Sequence, residues 1–251
     1  MSEYLYGRNA VRETLRARRR HIHKLILADN LEKSAVLNDI LTLAGRIGLR
    51  PTRWSRKKIN SIARGTQGVV LEVGRYPTVE LEDVLGHAKK LKNEPFILIL
   101  DHIEDPHNVG AILRTAEIVG VHGVILPKQR AAQITPTVAN VSAGATEHMR
   151  IVQTANLVQS LKKLKKQNIW VSGVEHAPNA IFFHQANLGG AIALVIGSEG
   201  KGMSRLVQQT CDFLIKIPMQ GQVNSLNASV AGGLALYEVW RARGFAPNKS
   251  E

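Results

Sequence analysis

The sequence is poor in cysteine: Cys211 is the only one among 251 residues. A single cysteine excludes an internal disulfide and any zinc site built on paired cysteines, and it suits a reducing compartment. The nine histidines show no H-E-x-x-H spacing, and His102 and His107, the pair closest to a metal motif, have no cysteine partner. We therefore expect no metal cofactor.

Long apolar runs are also missing. The longest, over residues 96–100 and 191–196, are far shorter than the roughly 20 residues that span a bilayer, and the first residues carry no apolar signal core. With 44% hydrophobic residues the chain can still bury a sizeable core. We therefore expect a soluble, cytoplasmic globular protein of one or two domains.

Positive charge is what the sequence has in excess, with a formal net charge of +13. Lys and Arg neutralise phosphates and release counterions, so the charge points to a polyanionic partner. Residues 1–75 hold 16 Lys and Arg against 6 Asp and Glu, a net +10, whereas residues 76–251 hold 17 against 14, a net +3. The N-terminal third therefore carries most of the predicted nucleic-acid footprint.

The first 75 residues predict a small α/β domain. The expected elements are a helix capped by Asn9 and ending near residue 17, a strand over 22–27, a helix over 32–47, a short helix after Ser55 and a strand over 68–73. Residues 76–94 have weak periodicity, which predicts a linker with at most one helix. We place the domain boundary in this linker.

The pattern of apolar residues over 95–246 predicts a second domain, which is followed by a tail over 247–251. Buried strands are expected at apolar runs over 96–100, 123–126, 169–174, 191–196 and 213–217, and helices near 109–119, 157–167 and 229–241. This alternation predicts a mostly parallel sheet with helices on both faces. Ligands of such sheets lie outside the carboxyl ends of the strands, which selects the loops over 101–108, 197–202 and 218–227.

The first loop leads into a helix for which Asn108 is the expected N-cap and Gly120 the stop. Arg114 falls outside the apolar stripe, one turn after Gly110, so its guanidinium would lie over a residue with no side chain. A ligand phosphate could approach there. The other interpretation, a capped surface helix with a solvated arginine, is equally open.

The second loop, G-S-E-G-K-G over residues 197–202, contains three glycines that let the backbone approach a ligand closely. Its spacing matches neither a phosphate-binding P-loop nor a G-x-G-x-x-G dinucleotide turn. Glu199 would place a carboxylate at a strand end, where it either orients a hydroxyl or a guanidinium or complements the dipole of the following helix.

The third loop offers Asn224, Ser225 and Asn227 at a helix start, and plain N-capping explains only one of the three. The helix that follows contains Gly232 and Gly233, which cost about 1 kcal/mol each relative to alanine. Another backbone packing closely there, within the fold or across a dimer interface, would compensate.

Together these segments resemble the three motifs of the TrmH (SpoU) branch of the SPOUT methyltransferases. The matching stretches are N-V-G-A-I-L-R-T-A over 108–116, I-G-S-E-G-K-G-M over 196–203, and I-P-M with S-L-N-A-S-V-A within 217–231. The opening Y-G-R-N-A-V over 6–11 further resembles the small RNA-recognition domain of bacterial 23S rRNA guanosine 2′-O-methyltransferases. The resemblance covers nearly the whole chain.

The resemblance implies a C-terminal trefoil knot, a homodimer and S-adenosylmethionine as the methyl donor, without a metal. It implies donor contacts by Gly197, Gly202, Ile217, Met219 and Leu226. The implied catalytic set is Asn108, Arg114, Glu199, Ser225 and Asn227. The RNA contacts we expect in the N-terminal domain are Arg8, Arg16, Arg18, Arg19 and Arg20.

The implied reaction is methylation of a guanosine 2′-hydroxyl in the peptidyl-transferase P-loop of 23S rRNA. An arginine is essentially always protonated, so we interpret Arg114 as a clamp on the target phosphate, with proton acceptance by Arg114 as the variant. Two alternatives stay open: a tRNA 2′-O-ribose methyltransferase, because the catalytic domain alone would serve both, and a non-catalytic rRNA-binding protein.

Overall fold

A computed structural model describes residues 2–223 and 225–246. The chain divides into two compact units, the first formed by Met1–Pro77 with Ile134–His148 and the second by Thr78–Gln133 with Met149–Glu251. The predicted tail over 247–251 and Asn224 lie outside the described residues.

The secondary structure alternates strands and helices along the chain. The strands are β1 (Glu3–Tyr6), β2 (Ile22–Ala28), β3 (Thr52–Trp54), β4 (Val69–Val73), β5 (Phe96–Asp101), β6 (Gly123–Pro127), β7 (Ile151–Thr154), β8 (Trp170–Val174), β9 (Ile181–Phe182), β10 (Ile192–Gly197) and β11 (Phe213–Lys216). The α-helices are α1 (Arg8–Ala17), α2 (Ala35–Arg46), α3 (Arg56–Asn60), α4 (Leu81–Lys90), α5 (Pro106–Ile118), α6 (Pro136–Val141), α7 (Leu157–Lys166), α8 (Arg205–Thr210) and α9 (Ala228–Ala242).

The first unit contains a four-stranded sheet in the order β1-β4-β2-β3, in which only β2 and β3 are parallel. The expected cap of α1 is wrong: the helix begins at Arg8 and its N-cap is Gly7, whose φ of 86° is in the region that favours glycine. The second helix begins three residues later than expected, because the Ser34 side chain accepts a hydrogen bond from the Leu37 N–H and caps it there.

A buried ion pair joins the two chain segments of the first unit. Arg20 donates from Nε and Nη2 to the two carboxylate oxygens of Glu147, at 2.9 and 3.0 Å, and from Nη1 to Glu3 at 2.8 Å. The side chains of Arg20 and Glu147 are 0% and 1% exposed. Burial raises the pKa of Glu147, and the charge and hydrogen bonds of Arg20 oppose that shift.

The second unit is built on a seven-stranded sheet in the order β7-β6-β5-β10-β8-β11-β9, with every neighbouring pair parallel. The central strands β5 and β10 are buried almost throughout, which explains their continuous apolar sequence. The predicted fold class, a parallel sheet flanked by helices with a small N-terminal α/β unit, is thereby confirmed. The trefoil knot stays a prediction.

The helix α5 starts earlier than its sequence pattern suggested. Its N-cap is Asp105, whose carboxylate accepts a hydrogen bond from the His107 N–H at 2.9 Å, and Pro106 occupies the first helical position. Asn108 therefore lies inside the first turn, and the expectation that it caps the helix is wrong. Its side chain is left available for contacts other than capping.

Within residues 2–223 and 225–246, no helix is both long and apolar enough to cross a membrane, and no three potential metal-ligating side chains come together.

Cys211 is partly buried and its thiol donates to the Val207 carbonyl at 3.4 Å. Burial raises the pKa of this thiol to about 12, so it stays protonated at neutral pH.

The burial of the Arg20–Glu147 pair predicts that the protein loses stability when one partner is removed. We expect Arg20→Ala to lower the free energy of unfolding by about 3–5 kcal/mol, because Glu147 would stay buried without its partner. The control is Arg16→Ala, which removes ion pairs to Glu13 and Asp39 from a side chain that is 44% exposed, and should cost about 0–1 kcal/mol. Urea unfolding monitored by circular dichroism measures both, and equal losses would contradict the prediction.

A second prediction concerns His122, which is buried and whose Nδ1 accepts a hydrogen bond from the Phe96 N–H at 3.0 Å. Burial lowers the pKa of His122 from 6.5 to about 4, so the unfolded chain binds its proton more readily. The stabilisation is complete above pH about 6.5 and is lost as the pH falls toward 4, by up to about 3 kcal/mol. Urea midpoints measured across this range should show the loss.

The matched variant for this prediction is His122→Asn, which keeps an acceptor for Phe96 but does not titrate in the acid range. Its unfolding free energy should depend less on pH between 6.5 and 4 than that of the wild-type protein. Identical pH profiles would rule out His122 as the source of the acid sensitivity.

Candidate active site

The carboxyl ends of four neighbouring strands form the candidate site. In the parallel registers, Gly197 at the end of β10 lies beside Asp101 of β5, and Ile196 lies beside Val174 at the end of β8, which is itself beside Ile215 of β11. The loops that follow these strands therefore meet at one edge of the sheet, which is where a doubly wound fold binds its ligands.

The glycine-rich loop after β10 folds back on itself. Ser198 and Gly202 exchange both backbone hydrogen bonds, at 3.1 and 2.9 Å, and Gly202 has a positive φ of 65°. A Cβ on Gly197 would lie 2.3 Å from the Gly202 carbonyl carbon and 2.4 Å from the Met203 nitrogen. The close approach of two backbone segments therefore requires glycine at position 197.

Two carboxylates hold the end of this loop in place. Asp101, whose side chain is fully buried, accepts a hydrogen bond from the Ser204 N–H at 2.6 Å. Glu175 accepts from the Met203 N–H at 3.1 Å. The conformation of the glycine-rich loop is thus fixed by side chains that come from the ends of β5 and β8.

A cavity of about 520 Å³, here called the loop cavity, opens among these loops. All five residues implied as donor contacts line it: Gly197, Gly202, Ile217, Met219 and Leu226. The sequence reasoning missed Glu175 and His176, which line the cavity from the loop after β8. The carboxyl-end rule applied to that strand as well, and it could have found them.

A hydrogen-bonded group of polar side chains, here called the polar cluster, adjoins this cavity. The amide nitrogen of Asn227 donates to Asn108 Oδ1 at 3.0 Å and to Glu199 Oε2 at 2.9 Å. The carbonyl oxygen of Asn227 caps α9 by accepting from the Ser229 N–H at 2.9 Å. The structure thus brings together three implied catalytic residues, from the first turn of α5, the glycine-rich loop and the start of α9.

The other two implied catalytic residues are placed differently. Ser225 is exposed and lines the loop cavity. Arg114 is exposed on α5 and does not line the loop cavity. It makes no hydrogen bond or ion pair within the described ranges. Its guanidinium is free to bind a ligand from outside the chain.

The five arginines expected to contact RNA differ in exposure. Arg18 is exposed, and Arg16 is exposed but ion-paired. Arg8 donates to Ser34 Oγ at 2.8 Å, and Arg19 lies near the Tyr76 ring. Arg20 is buried in its ion pairs and presents no charge to solvent.

Comparison with known proteins agrees with this geometry. Residues 95–237 match the SpoU rRNA methylase family, and residues 4–79 match the RNA 2′-O ribose methyltransferase substrate-binding domain. The chain belongs to the SpoU rRNA methylase family. The resemblance drawn from the three motifs is thereby confirmed. Several motif residues of this family member line the loop cavity or form the polar cluster, whereas Arg114 of the first motif does neither.

Individual relatives extend the match over almost the whole chain. A putative TrmH family tRNA/rRNA methyltransferase of Bacillus subtilis, YacO, is 46% identical over 244 residues, which is 96% of each chain. The SpoU methyltransferase AviRb of Streptomyces viridochromogenes, solved in complex with AdoMet, has a TM-score of 0.80 at 21% identity and covers 98% of this chain and 92% of its own. That structure shares the fold.

Gly197 gives a direct test of the loop cavity. We expect Gly197→Ala to weaken binding of S-adenosylmethionine at least about tenfold, because the added methyl group would push the Gly202 and Met203 backbone away. Isothermal titration calorimetry measures this. The control is Gly190→Ala, where an added Cβ meets no atom within 4 Å and binding should be unchanged. Equal affinities in both variants would contradict the assignment.

Proposed function

We propose that this protein transfers the methyl group of S-adenosylmethionine to the 2′-hydroxyl of a guanosine ribose in the peptidyl-transferase P-loop of 23S rRNA. The observation that carries the proposal is the junction of the loop cavity with the polar cluster. The cavity, about 520 Å³, is within the size range of sites for small cofactors. Amide and carboxylate groups suited to a ribose hydroxyl stand beside it.

The loop cavity suits a methyl donor that has an adenine ring and a charged sulfonium. Ile217, Met219 and Leu226 offer apolar surface for the ring, while Gly197 and Gly202 line the cavity without side chains that would fill it. The AdoMet complex of AviRb, which has the same fold, supports this choice of donor. No metal is needed, because the sulfonium itself activates the methyl group.

In the proposed reaction the ribose oxygen attacks the methyl carbon in line as the carbon–sulfur bond breaks and its electron pair returns to sulfur. The rate depends on holding both partners in this geometry. Asn108, Glu199, Ser225 and Asn227 orient the ribose, and Arg114 binds the target phosphate and polarises the hydroxyl, whose proton passes to water.

The exposed face of α5 and α9 supports a homodimer. Four large apolar side chains on these two helices, Ile118, Val230, Leu234 and Tyr237, are 43–53% exposed. The helices pack on each other within the second unit, and a patch formed by these side chains would suit a protein partner. A Cβ added to Gly233, in the same stretch of α9, would meet only the Thr115 side chain, at 4.0 Å, among the residues that the structure describes, which leaves room for a partner helix. Arg114 lies one turn before Ile118, so a partner would cover the chain close to it.

The choice of 23S rRNA rests on the N-terminal unit. Its first 75 residues carry a net charge of +10, and residues 4–79 match the substrate-binding domain of RNA 2′-O ribose methyltransferases. The segment also resembles that of the guanosine methyltransferase RlmB. We propose Arg8, Arg16, Arg18 and Arg19 as RNA contacts in the cytoplasm and leave out the buried Arg20.

A tRNA 2′-O-ribose methyltransferase is the second candidate, since relatives are named as tRNA/rRNA methyltransferases. The decisive experiment incubates the protein and labelled S-adenosylmethionine with rRNA and, separately, tRNA from cells that lack it, and then maps the modified nucleotide. A 2′-O-methylguanosine in the 23S P-loop supports the proposal. Label only in tRNA would instead identify the protein as a tRNA 2′-O-ribose methyltransferase. Donor binding without label in either RNA would favour a non-catalytic rRNA-binding protein.

Variants of Arg114 test, in this assay, whether the residue acts on the RNA substrate and not on binding of the methyl donor. We expect Arg114→Ala to lower kcat at least about hundredfold, because the phosphate clamp and its polarising charge are lost together, while donor affinity stays the same. Arg114→Lys should recover only part of the rate, since an ammonium cannot bind a phosphate in a bidentate way. Near-normal turnover of Arg114→Ala with unchanged RNA affinity would refute the clamp.

A further inference from the structure

A second cavity in the same unit, about 620 Å³ in volume and here called the side cavity, borders the loop cavity. The two cavities share Ser198, Glu199 and Gly202 of the glycine-rich loop. Asn108, a member of the polar cluster, also lines the side cavity. A ligand in each cavity would therefore meet its neighbour at the polar cluster, which is the arrangement that a group transfer between two bound molecules requires.

The loop that carries Arg130 into the side cavity is held firmly. The Ala132 N–H donates to the Ile103 carbonyl at 2.9 Å, and the Gln133 amide donates to the Pro127 carbonyl at 3.2 Å. Arg130 itself has a φ of 52°, in the left-handed region that is costly for an arginine. These contacts place the charged side chain of Arg130, on a strained backbone, after the carboxyl end of β6 and beside the loop that leads into α5.

Some charged side chains of the side cavity have hydrogen-bond partners and others have none among the residues that the structure describes. Two carboxylates have partners: Asp105 caps α5, and Glu199 accepts from Asn227. The cations Arg130 and Lys201 are exposed and make no hydrogen bond or ion pair with any residue that the structure describes. Glu104, the third carboxylate, is likewise exposed and without a partner in that part of the chain.

We propose that the side cavity receives the acceptor nucleotide, and that Arg130 and Lys201 bind the phosphates beside its ribose. This inference rests on the proposed function and assigns the RNA side of the same site. A ribose at the border with the loop cavity would face the methyl donor and the polar cluster. Arginine and lysine are the side chains that bind nucleic-acid phosphates, and neither would have to break an existing contact to do so.

The proposal predicts opposite effects for the two signs of charge. Arg130→Asn removes the cation and keeps a residue that tolerates the left-handed backbone, and it should raise KM for RNA by about tenfold to hundredfold. Lys201→Ala should raise it as well. Glu104→Gln, which removes a negative charge facing the same ligand, should lower KM. A merely structural role of these residues would not produce changes in both directions.

The test measures kcat and KM with whichever RNA accepts the methyl group, donor affinity by calorimetry, and RNA affinity by filter binding of 23S rRNA at several salt concentrations. Lys163→Ala, an exposed lysine of α7 that lines neither cavity, is the control for loss of one positive charge. The proposal is supported if Arg130→Asn weakens RNA binding, lowers its salt slope by about 0.7–0.9, and leaves donor affinity unchanged.

Arg130→Asn and Lys201→Ala variants that behave like Lys163→Ala in KM and in salt slope would overturn the assignment of the side cavity. The same holds if Glu104→Gln raises KM as the cation variants do. If the wild-type protein methylates no RNA, the proposed function fails, and the salt slopes still report whether Arg130 and Lys201 bind phosphate. The two failures are therefore distinguishable.

Discussion

The site depends on the close contact between the end of β10 and the returning arm of the glycine-rich loop. Because Gly197 has no side chain, the backbone of Gly202 and Met203 can lie against it, and this turns the loop back over the sheet edge. The buried carboxylate of Asp101 and that of Glu175 then fix the two residues that follow Gly202. Both cavities border this loop, so its conformation contributes to the shape of each.

The polar cluster shows how such a loop also carries chemistry. Asn227 uses its carbonyl oxygen to begin α9 and its amide group to hold Asn108 and Glu199. One side chain therefore satisfies a helix terminus and orients two others, which suits a site that must be set before its ligands arrive. Side chains supported in this way lose little further freedom on binding.

The sequence predicted much of the second unit because most of its strands are largely buried. Continuous apolar runs mark β5, β6, β8, β10 and β11 within a few residues. The pattern did not reveal β7, whose four residues alternate poorly, or β9, which has two exposed residues. In the candidate site, glycine spacing and the carboxyl-end rule identified the loops, whereas the contacts between them depend on tertiary distances that no local pattern encodes.

The expectations for Asn108 and Arg20 differ from the structure for physical reasons. Asn108 looked like a cap because it precedes the apolar stripe, but Asp105 followed by Pro106 is the stronger helix start. Arg20 looked like an RNA contact because it ends a run of arginines. Its partner Glu147 lies 127 positions further along the chain, so no local pattern around Arg20 indicates that this arginine is buried.

The first unit includes residues that the chain supplies only after it has built part of the second unit. Asn140 donates to the Tyr6 carbonyl at 2.9 Å, and the Gly144 backbone packs near Ala10. The unit is therefore not a detachable N-terminal module. A chain cut after residue 77 would separate Arg20 from Glu147 and leave a buried charge without its partner, so the first unit is complete only when residues 134–148 are present.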